Sequence, residues 1–292
     1  MNKNKVAPAK KAKSMRVREG LFQIFCVLIL SAIAFCQVFP FYLKLVDSLH
    51  SPELIPDSEQ LYLVPEDPTI DNYLTALEVS GFWEALANTA FHSIMFTAIS
   101  LCIAIVVGYV LAKMEFRGKK FVSAILLATM MVPGEVLMIP NYILVMNMGL
   151  NYSIWGLILP GIVNIFGVFL IRQYMSNIPQ SVLESSDLDG CNEFQKLFYI
   201  VVPMSKPILV TYIILTFVST WNEYLWPMVM QASGSQVETL QLIMYKFYPG
   251  LGNYADGFVR SAGMILITIP IIIVYIIFQK YFLEQNNLSG MK

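Results

Sequence analysis

Long apolar runs alternate with short polar stretches along the 292-residue chain. A helix that crosses a bilayer needs roughly 20 mostly apolar residues, and six runs are close to or above that length. The pattern therefore predicts an all-α membrane protein with six transmembrane helices. The predicted spans are Leu21–Val46, Phe91–Ala112, Phe121–Val145, Ser153–Ile171, Pro207–Met230 and Ser261–Leu283.

Composition agrees with this pattern and narrows the function. Hydrophobic residues make up 57% of the chain and charged residues only 13%, whereas soluble domains carry roughly 25% charged residues. The four cysteines and two histidines show no metal-ligand spacing. No phosphate-binding loop, zinc-protease motif or nucleophile elbow is present either. We therefore expect neither an enzyme nor a metal or cofactor bound by this chain.

Basic residues predict the orientation, because short cytoplasmic loops accumulate Lys and Arg. Seven of them precede Leu21 and four lie in KMEFRGKK, residues 113–120. By contrast, residues 47–86 contain nine acidic residues and no Lys or Arg. We therefore expect both termini and the 113–120 loop in the cytoplasm. Residues 47–86 are expected outside, where their Pro and Asp content favours a short ordered cap.

The first apolar run has two interpretations. Ala32-Ile33-Ala34 follows a basic tail and resembles the cleavage site of a secretory signal peptide. The run continues past this site to Val46, however, and only Gln37 and Lys44 interrupt it. An uncleaved first helix is the favoured interpretation.

Polar side chains inside the predicted spans are candidates for function. A charged group there costs several kcal/mol unless it faces the bundle interior or water. Glu135 follows Pro133-Gly134, a helix break that a membrane tolerates where protein or water satisfies the backbone. Glu223 lies in WNEYLWP, whose amide, carboxyl and aromatic groups can bind sugars; an interfacial aromatic belt is the alternative. His92 is expected to be a helix-end polar residue.

A charged stretch, ESSDLDGCNEFQKLFYIVVP at 184–203, separates the fourth and fifth spans. Residues 177–203 are typical of two short helices that meet at Gly190, which suits the C-terminal cap of the first. Periodicity alone favours a solvated loop helix here, and a docking surface for a soluble partner is the alternative. The second helix has an apolar stripe that we expect to lie against the bundle: Phe194, Leu197, Phe198 and Val201.

Four residues of this stretch resemble the pattern E-A-A-x3-G-x9-I-x-L-P of the permeases of binding-protein-dependent ABC importers. Ser185 and Ser186 replace the alanine pair and Val202 replaces leucine, which are small-for-small and apolar-for-apolar changes. The segments MMVPGEVLMIPN, FLIRQYMSNIP and WNEYLWP are similar to those of the carbohydrate-uptake branch, specifically the second, six-span permease of maltose-type systems. The anchor residues that match at the correct spacing are Glu184, Gly190, Ile200 and Pro203.

The resemblance implies a fold, a function and a set of partners. The fold would be that of type I ABC importer permeases. The chain would be a multi-pass subunit of a bacterial cell membrane that forms half of the path for a monosaccharide or oligosaccharide. A homologous permease would form the other half, and an extracytoplasmic sugar-binding protein would deliver the sugar. A cytoplasmic ATPase dimer, rather than this chain, would bind ATP and magnesium.

The resemblance also assigns roles to residues. Glu184 would pair with a basic residue of the ATPase, Asp187 and Asp189 would shape the docking face, and Gly190 would permit the turn. The full set implied in ATPase coupling is Glu184, Ser185, Ser186, Asp187, Asp189, Gly190, Phe194, Ile200 and Pro203. The candidates for the translocation path are Glu135, Asn141, Asn164, Trp221, Asn222 and Glu223.

The expected organisation is a basic cytoplasmic tail at 1–20, a permease domain at 21–283 and a C-terminal tail at 284–292. The permease domain would contain the outer acidic segment at 47–86 and a cytoplasmic coupling loop at 172–206. Three alternatives stay open. The chain could be an ABC permease for peptides, amino acids or polyamines, a secondary transporter with Glu135 or Glu223 relaying protons, or an intramembrane hydrolase built on the same two residues.

Overall fold

The computed structural model describes residues 7–51, 61–232, 234–246 and 255–289. These residues form helices and connecting loops, with no β-strand among them. A 3-10 turn at Gly134–Leu137 precedes α5, another at Leu159–Gly161 follows α6, and Lys196–Val201 is π-helical. The α-helices are α1 (Ala7–Ser48), α2 (Asp71–Glu78), α3 (Phe82–Lys113), α4 (Lys119–Thr129), α5 (Met138–Asn147), α6 (Trp155–Ile158), α7 (Ile165–Ser176), α8 (Gln180–Leu188), α9 (Glu193–Gln195), α10 (Val202–Met204), α11 (Lys206–Trp221), α12 (Leu225–Gln231), α13 (Leu240–Lys246) and α14 (Ala255–Ser289).

The predicted spans agree with four long apolar stretches and two bent helix pairs. The stretches are Glu19–Ser48, Phe82–Lys113, Lys206–Gln231 and Gly257–Lys280. The pairs are bent by 90° between α4 and the turn at Gly134, and by 50° between the turn ending at Gly161 and α7. If each pair is one span, the described residues cross the membrane six times, as predicted.

Two details of the spans differ from the expectation. The second span begins at Phe82 rather than Phe91, so His92 lies well inside α3 instead of at its start. The fourth span is broken near Pro160 and Gly161, where the sequence predicts a continuous helix. Proline removes a backbone donor and crowds the preceding turn, which accounts for the break.

The chain divides into two compact units, of which the smaller comprises residues 1–75 and 252–265. In this unit Asn72 is 1% exposed, and its amide donates hydrogen bonds to the carbonyls of Ser48 at 3.1 Å and His50 at 2.7 Å. The ring of His50 stacks on Phe258, with centroids 5.0 Å apart. These contacts order the chain that follows α1. The expected outer cap lies partly at 52–60, outside the described residues.

The membrane-spanning part of α1 has an apolar surface that the chain does not cover. No residue in its most apolar stretch, which lies within Glu19–Ser48, is buried. Large side chains such as Phe22, Leu30 and Phe35 are more than 60% exposed. Apolar groups in this position are stable in lipid or against another membrane chain, but not in water. Such a surface is consistent with the predicted spans.

The larger unit, residues 76–251 and 266–292, has its core between α3, α7 and α11. Tyr212 of α11 is fully buried there, and its hydroxyl shares a hydrogen bond of 2.5 Å with that of Ser100 on α3. Its ring lies over Gly167 of α7, where an added Cβ would come within 2.1 Å of the ring. Small residues permit such close helix packing in membranes, where interhelical hydrogen bonds add stability. The three helices therefore meet at a single tyrosine.

We expect Gly167→Ala to destabilise the protein, because the new methyl group must displace Tyr212 and its hydrogen bond. Overpacking of this kind costs about 1–3 kcal/mol, so the Tm of the purified protein in detergent should fall. Gly20→Ala is the matched control: nothing lies within 4 Å of the Cβ it would add, and alanine favours a helix. An unchanged Tm for Gly167→Ala would contradict the packing described here.

Candidate functional site

A cleft of about 790 Å³ opens into the larger unit where several helices are broken. Its walls come from the 3-10 turn before α5, from the break between α6 and α7, and from the break between α11 and α12. Broken helices leave backbone groups unpaired, and membranes tolerate this only where protein or water supplies partners. A water-accessible cleft at this place satisfies that requirement.

Most of the predicted path residues line this one cleft although they come from distant parts of the sequence. Glu135 belongs to the turn before α5, Asn141 to α5 itself, and Asn164 to the N-terminus of α7. Asn222 and Glu223 lie between α11 and α12. All five are among the lining residues.

Hydrogen bonds hold two of the three amides in place. Asn164 is the N-cap of α7, and its Oδ1 accepts the backbone N–H of Gly167 at 3.0 Å. The Asn222 Nδ2 donates to the carbonyl of Val218 at 2.9 Å, which caps the end of α11. Capping satisfies backbone groups that a helix end leaves unpaired. These side chains therefore stabilise the breaks as well as line the cleft.

Trp221 does not line the cleft, contrary to the expectation for a path residue. Its side chain is 2% exposed, and its indole N–H donates to the carbonyl of Ile267 at 3.1 Å. A buried indole needs such an acceptor, and α11 directs this one away from the cleft. Trp226 lines the cleft instead and donates to the carbonyl of Gly156 at 3.1 Å.

Sequence reasoning missed one neighbour of Glu223. The Nε2 of His92, on α3, lies 3.8 Å from the Oε2 of Glu223, and the His92 side chain is 1% exposed. His92 is not itself a lining residue. The two residues are far apart in the chain, so no local sequence pattern predicts this contact.

Sequence reasoning also missed the hydroxyl groups of the wall. Thr216, Ser219 and Thr220 line the cleft from α11, and their spacing to Glu223 is helical. That polar stripe was a signal available in the sequence. Together the hydroxyls, amides and carboxyl groups can exchange hydrogen bonds with a hydroxyl-rich molecule. In the part of the chain that the structure describes, no group of His, Cys, Asp and Glu is arranged to hold a metal ion.

The second candidate region is the loop that contains α8. Pro179 precedes the first residue of α8, and Gly190 follows its last turn with a φ of +78°. The N–H of Gly190 donates to Asp187 O at 3.1 Å, and that of Cys191 donates to Ser186 O at 3.0 Å. These two bonds form a Schellman C-cap, which favours glycine at the left-handed position. The expected helix and its stop at Gly190 are both present.

Two of the four apolar residues that were predicted to lie against the bundle, Phe194 and Phe198, are exposed instead. Leu197 and Val201 are buried as expected, but Phe194 is 73% exposed and Phe198 is 54% exposed. Within the π-helical turn at Lys196–Val201 the bonds run i→i+5, so Phe198 no longer shares the face of Leu197 and Val201. Phe194 lies before this turn, in α9. Two aromatic rings therefore face outward.

Further apolar and acidic groups make up the rest of this surface. Leu188 is 91% exposed, and Glu184, Ser185, Asp187 and Asp189 are exposed as well, whereas Ser186 is buried. Ser186 Oγ donates to Leu183 O at 2.6 Å. Ile200 is half-buried and Pro203 is exposed. The loop thus presents a mixed apolar and acidic surface, which we call the α8 surface.

A buried lysine connects α8 to the following segment. Lys196 forms ion pairs with Asp187 and with Glu193, the latter at 2.7 Å, and Tyr109 of α3 donates to Glu193 at 2.7 Å. The hydrogen bond to Asp187, followed by that to Glu193, raises the pKa of Lys196 above its ordinary value. The bonds from Lys196 and then Tyr109 lower the pKa of Glu193. Lys196 and Glu193 therefore both stay charged around neutral pH.

Further contacts attach α8 to the helix bundle. Lys113, at the end of α3, donates to the carbonyl of Ile178 at 2.5 Å. Leu183 of α8 is 4% exposed and packs in the same apolar cluster as Met175, Leu197 and Val201. Salt-bridge networks with a buried partner are less screened than surface pairs. The α8 surface is consequently held on α3 and α7 rather than hanging from a free loop.

Comparison with known proteins extends these observations. The chain is 32% identical over 262 residues to the arabinooligosaccharides transport system permease protein of Halalkalibacterium halodurans, covering 89% of this chain and 93% of the relative. It is 27% identical over 295 residues to the polygalacturonan/rhamnogalacturonan transport system permease protein of Bacillus subtilis, covering 94% and 100%. These relatives match over nearly their whole lengths.

A solved structure shows the same fold. It is a chain of a bacterial ABC transporter involved in the import of the acidic polysaccharide alginate, with a TM-score of 0.79 and 28% identity. The match covers 91% of this chain and 98% of the other. The predicted fold, that of a type I ABC importer permease, is confirmed. A family model described as "Binding-protein-dependent transport system inner membrane component" matches residues 104–285. The chain therefore belongs to the family of inner membrane components of binding-protein-dependent transport systems.

Proposed function

We propose that this chain is the permease subunit of an ATP-driven carbohydrate importer and forms half of the translocation path. The observation that carries the proposal is the cleft, because amide, carboxyl, hydroxyl and aromatic groups converge there at helix breaks. Aromatic faces with neighbouring hydrogen-bonding groups suit sugar rings and their hydroxyls. The names of the arabinooligosaccharide and polygalacturonan relatives support a carbohydrate cargo.

The partners follow from the family. Members are components of binding-protein-dependent systems, so a homologous permease, a cytoplasmic ATPase dimer and an extracytoplasmic sugar-binding protein complete the importer. ATP and magnesium then belong to the ATPase, and this chain catalyses no reaction. The distribution of Lys and Arg favours both termini and the α8 surface in the cytoplasm, with residues 47–86 and 231–260 facing the binding protein.

The α8 surface is the proposed contact with the ATPase. Leu188, Phe194 and Tyr199 are exposed beside the acidic side chains of α8. Apolar and aromatic anchors with a charged rim are typical of protein interfaces. ATP binding by the partner would move α8, and the Lys196 network would transmit that movement to α3. The conformational equilibrium of the cleft would shift accordingly.

We expect Glu184→Lys to weaken binding of the ATPase, because a like charge would face the proposed basic partner. Repulsion of this kind costs several kcal/mol, so the amount of ATPase that copurifies in detergent should fall at least about tenfold. Glu84→Lys is the matched control, since Glu84 is exposed in the first turn of α3, at the opposite end from Lys113. Equal copurification of both variants would contradict the assignment of the α8 surface.

We expect Asn141→Leu to impair sugar uptake without loss of the assembled complex. The substitution removes an amide from the cleft wall, and a lost hydrogen bond of this type costs about 1–3 kcal/mol. The KM for uptake of the cognate sugar should therefore rise about tenfold. Asn147→Leu is the control, because Asn147 ends the same helix, is exposed and does not line the cleft.

The outcome of the uptake measurements also tests the energy source. Depletion of ATP should abolish uptake by the unsubstituted complex, whereas a protonophore alone should leave it intact while ATP is maintained. Uptake that survives ATP depletion and collapses with the protonophore would instead indicate a proton-coupled transporter.

A further inference from the structure

The described side chains that line the cleft include acidic residues but no basic ones. Of the nineteen described residues that line it, two carry carboxyl groups, Glu135 and Glu223, and none is Lys, Arg or His. The remaining polar lining groups are neutral amides and hydroxyls. A molecule in the cleft therefore meets hydrogen-bond donors and acceptors and two carboxyl groups, but no basic side chain among the described lining residues.

Among the described residues, no Lys or Arg forms an ion pair with the carboxyl group of Glu223. Its nearest ionisable neighbour on the adjoining helix is His92, whose Nε2 is 3.8 Å away and has no hydrogen-bond partner. His92 is 1% exposed, so it lies behind Glu223 rather than in contact with the contents of the cleft. No ion pair involves Glu135 in the described ranges, and its side chain is exposed.

This arrangement distinguishes between two classes of carbohydrate. Sugar hydroxyls can donate to carboxyl and amide oxygens, and their rings can lie against Tyr224 and Trp226. A uronic acid would bring a carboxylate into a partly dry space beside the carboxyl groups of Glu135 and Glu223, where the described lining supplies no counterion. Placing a charge in such an environment is costly unless a charged partner compensates it.

We propose that the cleft admits uncharged, hydroxyl-rich carbohydrates and disfavours acidic ones, with Glu135 and Glu223 as the residues that set this preference. The proposal rests on the proposed function, because it assumes that cargo passes through the cleft. The names of the similar proteins include both neutral and acidic carbohydrates, so they do not select between the two classes.

The test measures the electrostatic preference of the cleft with charged thiol reagents. The four native cysteines, Cys26, Cys36, Cys102 and Cys191, are replaced by serine, and Ser219→Cys places a thiol of nearly unchanged size on the cleft wall. Membrane vesicles that contain the full complex are treated with trimethylammonium-ethyl or sulfonato-ethyl methanethiosulfonate. Ser80→Cys, at an exposed position between α2 and α3 that does not line the cleft, is the reference.

We expect the cationic reagent to modify Ser219→Cys faster than the anionic one, by about tenfold or more relative to the ratio at Ser80→Cys. Adding Glu135→Gln and Glu223→Gln should bring the two ratios together, because the amides keep the shape and lose the charge. A rate ratio at Ser219→Cys that the two glutamine substitutions leave unchanged would overturn the proposal.

A second measurement on the same vesicles distinguishes failure of the charge preference from failure of the proposed transport function. If the cleft is on the transport path, trapping the ATPase with ATP and vanadate should change the rate at which either reagent modifies Ser219→Cys. An identical rate in both nucleotide states would contradict the transport path. The ratio of the two reagents would still report the charge of the cleft, so the two failures cannot be confused.

Discussion

A backbone N–H or C=O inside a bilayer must find a partner in the protein or in water, and the arrangement of this chain depends on that constraint. Long helices such as α3 satisfy it internally. The spans that do not are broken beside one another: before α5, between α6 and α7, and between α11 and α12. Asn164 and Asn222 supply side-chain bonds at two of these breaks. Because the breaks are adjacent, their polar groups form one cleft instead of several isolated defects.

A network of ion pairs attaches α8 to the helix bundle, at the end of the bundle away from the cleft. Lys196 is almost completely buried but makes two ion pairs, so its charge is compensated where an unpaired ammonium would be unstable. Tyr109 extends the network into α3. Removing the lysine would leave the carboxylates of Asp187 and Glu193 without their cation and would loosen α8 from the helix on which it rests. The exposed residues of α8 are thus presented on a supported element.

Sequence reasoning predicted what depends on local composition. The six apolar runs, the break at Pro133-Gly134 and the cap at Gly190 all follow from the properties of consecutive residues. It did not predict the pairing of His92 with Glu223, since that contact depends on how α3 and α11 pack. The outward ring of Phe198 was missed because a π-helical turn changes the period from which the apolar stripe was predicted. Trp221 was predicted to line the path because it belongs to the WNEYLWP motif. Its indole N–H instead donates to the buried carbonyl of Ile267.

The uninterrupted course of α3 has a mechanical consequence. His92 contacts Glu223 at the cleft, and Tyr109 contacts Glu193 beside α8, both from the same helix. At 1.5 Å per residue these two points are roughly 25 Å apart along a single rod. A tilt of about 10° about one point would displace the other by about 4 Å. A tilt of this continuous helix can therefore couple movement at the α8 surface to movement at the cleft.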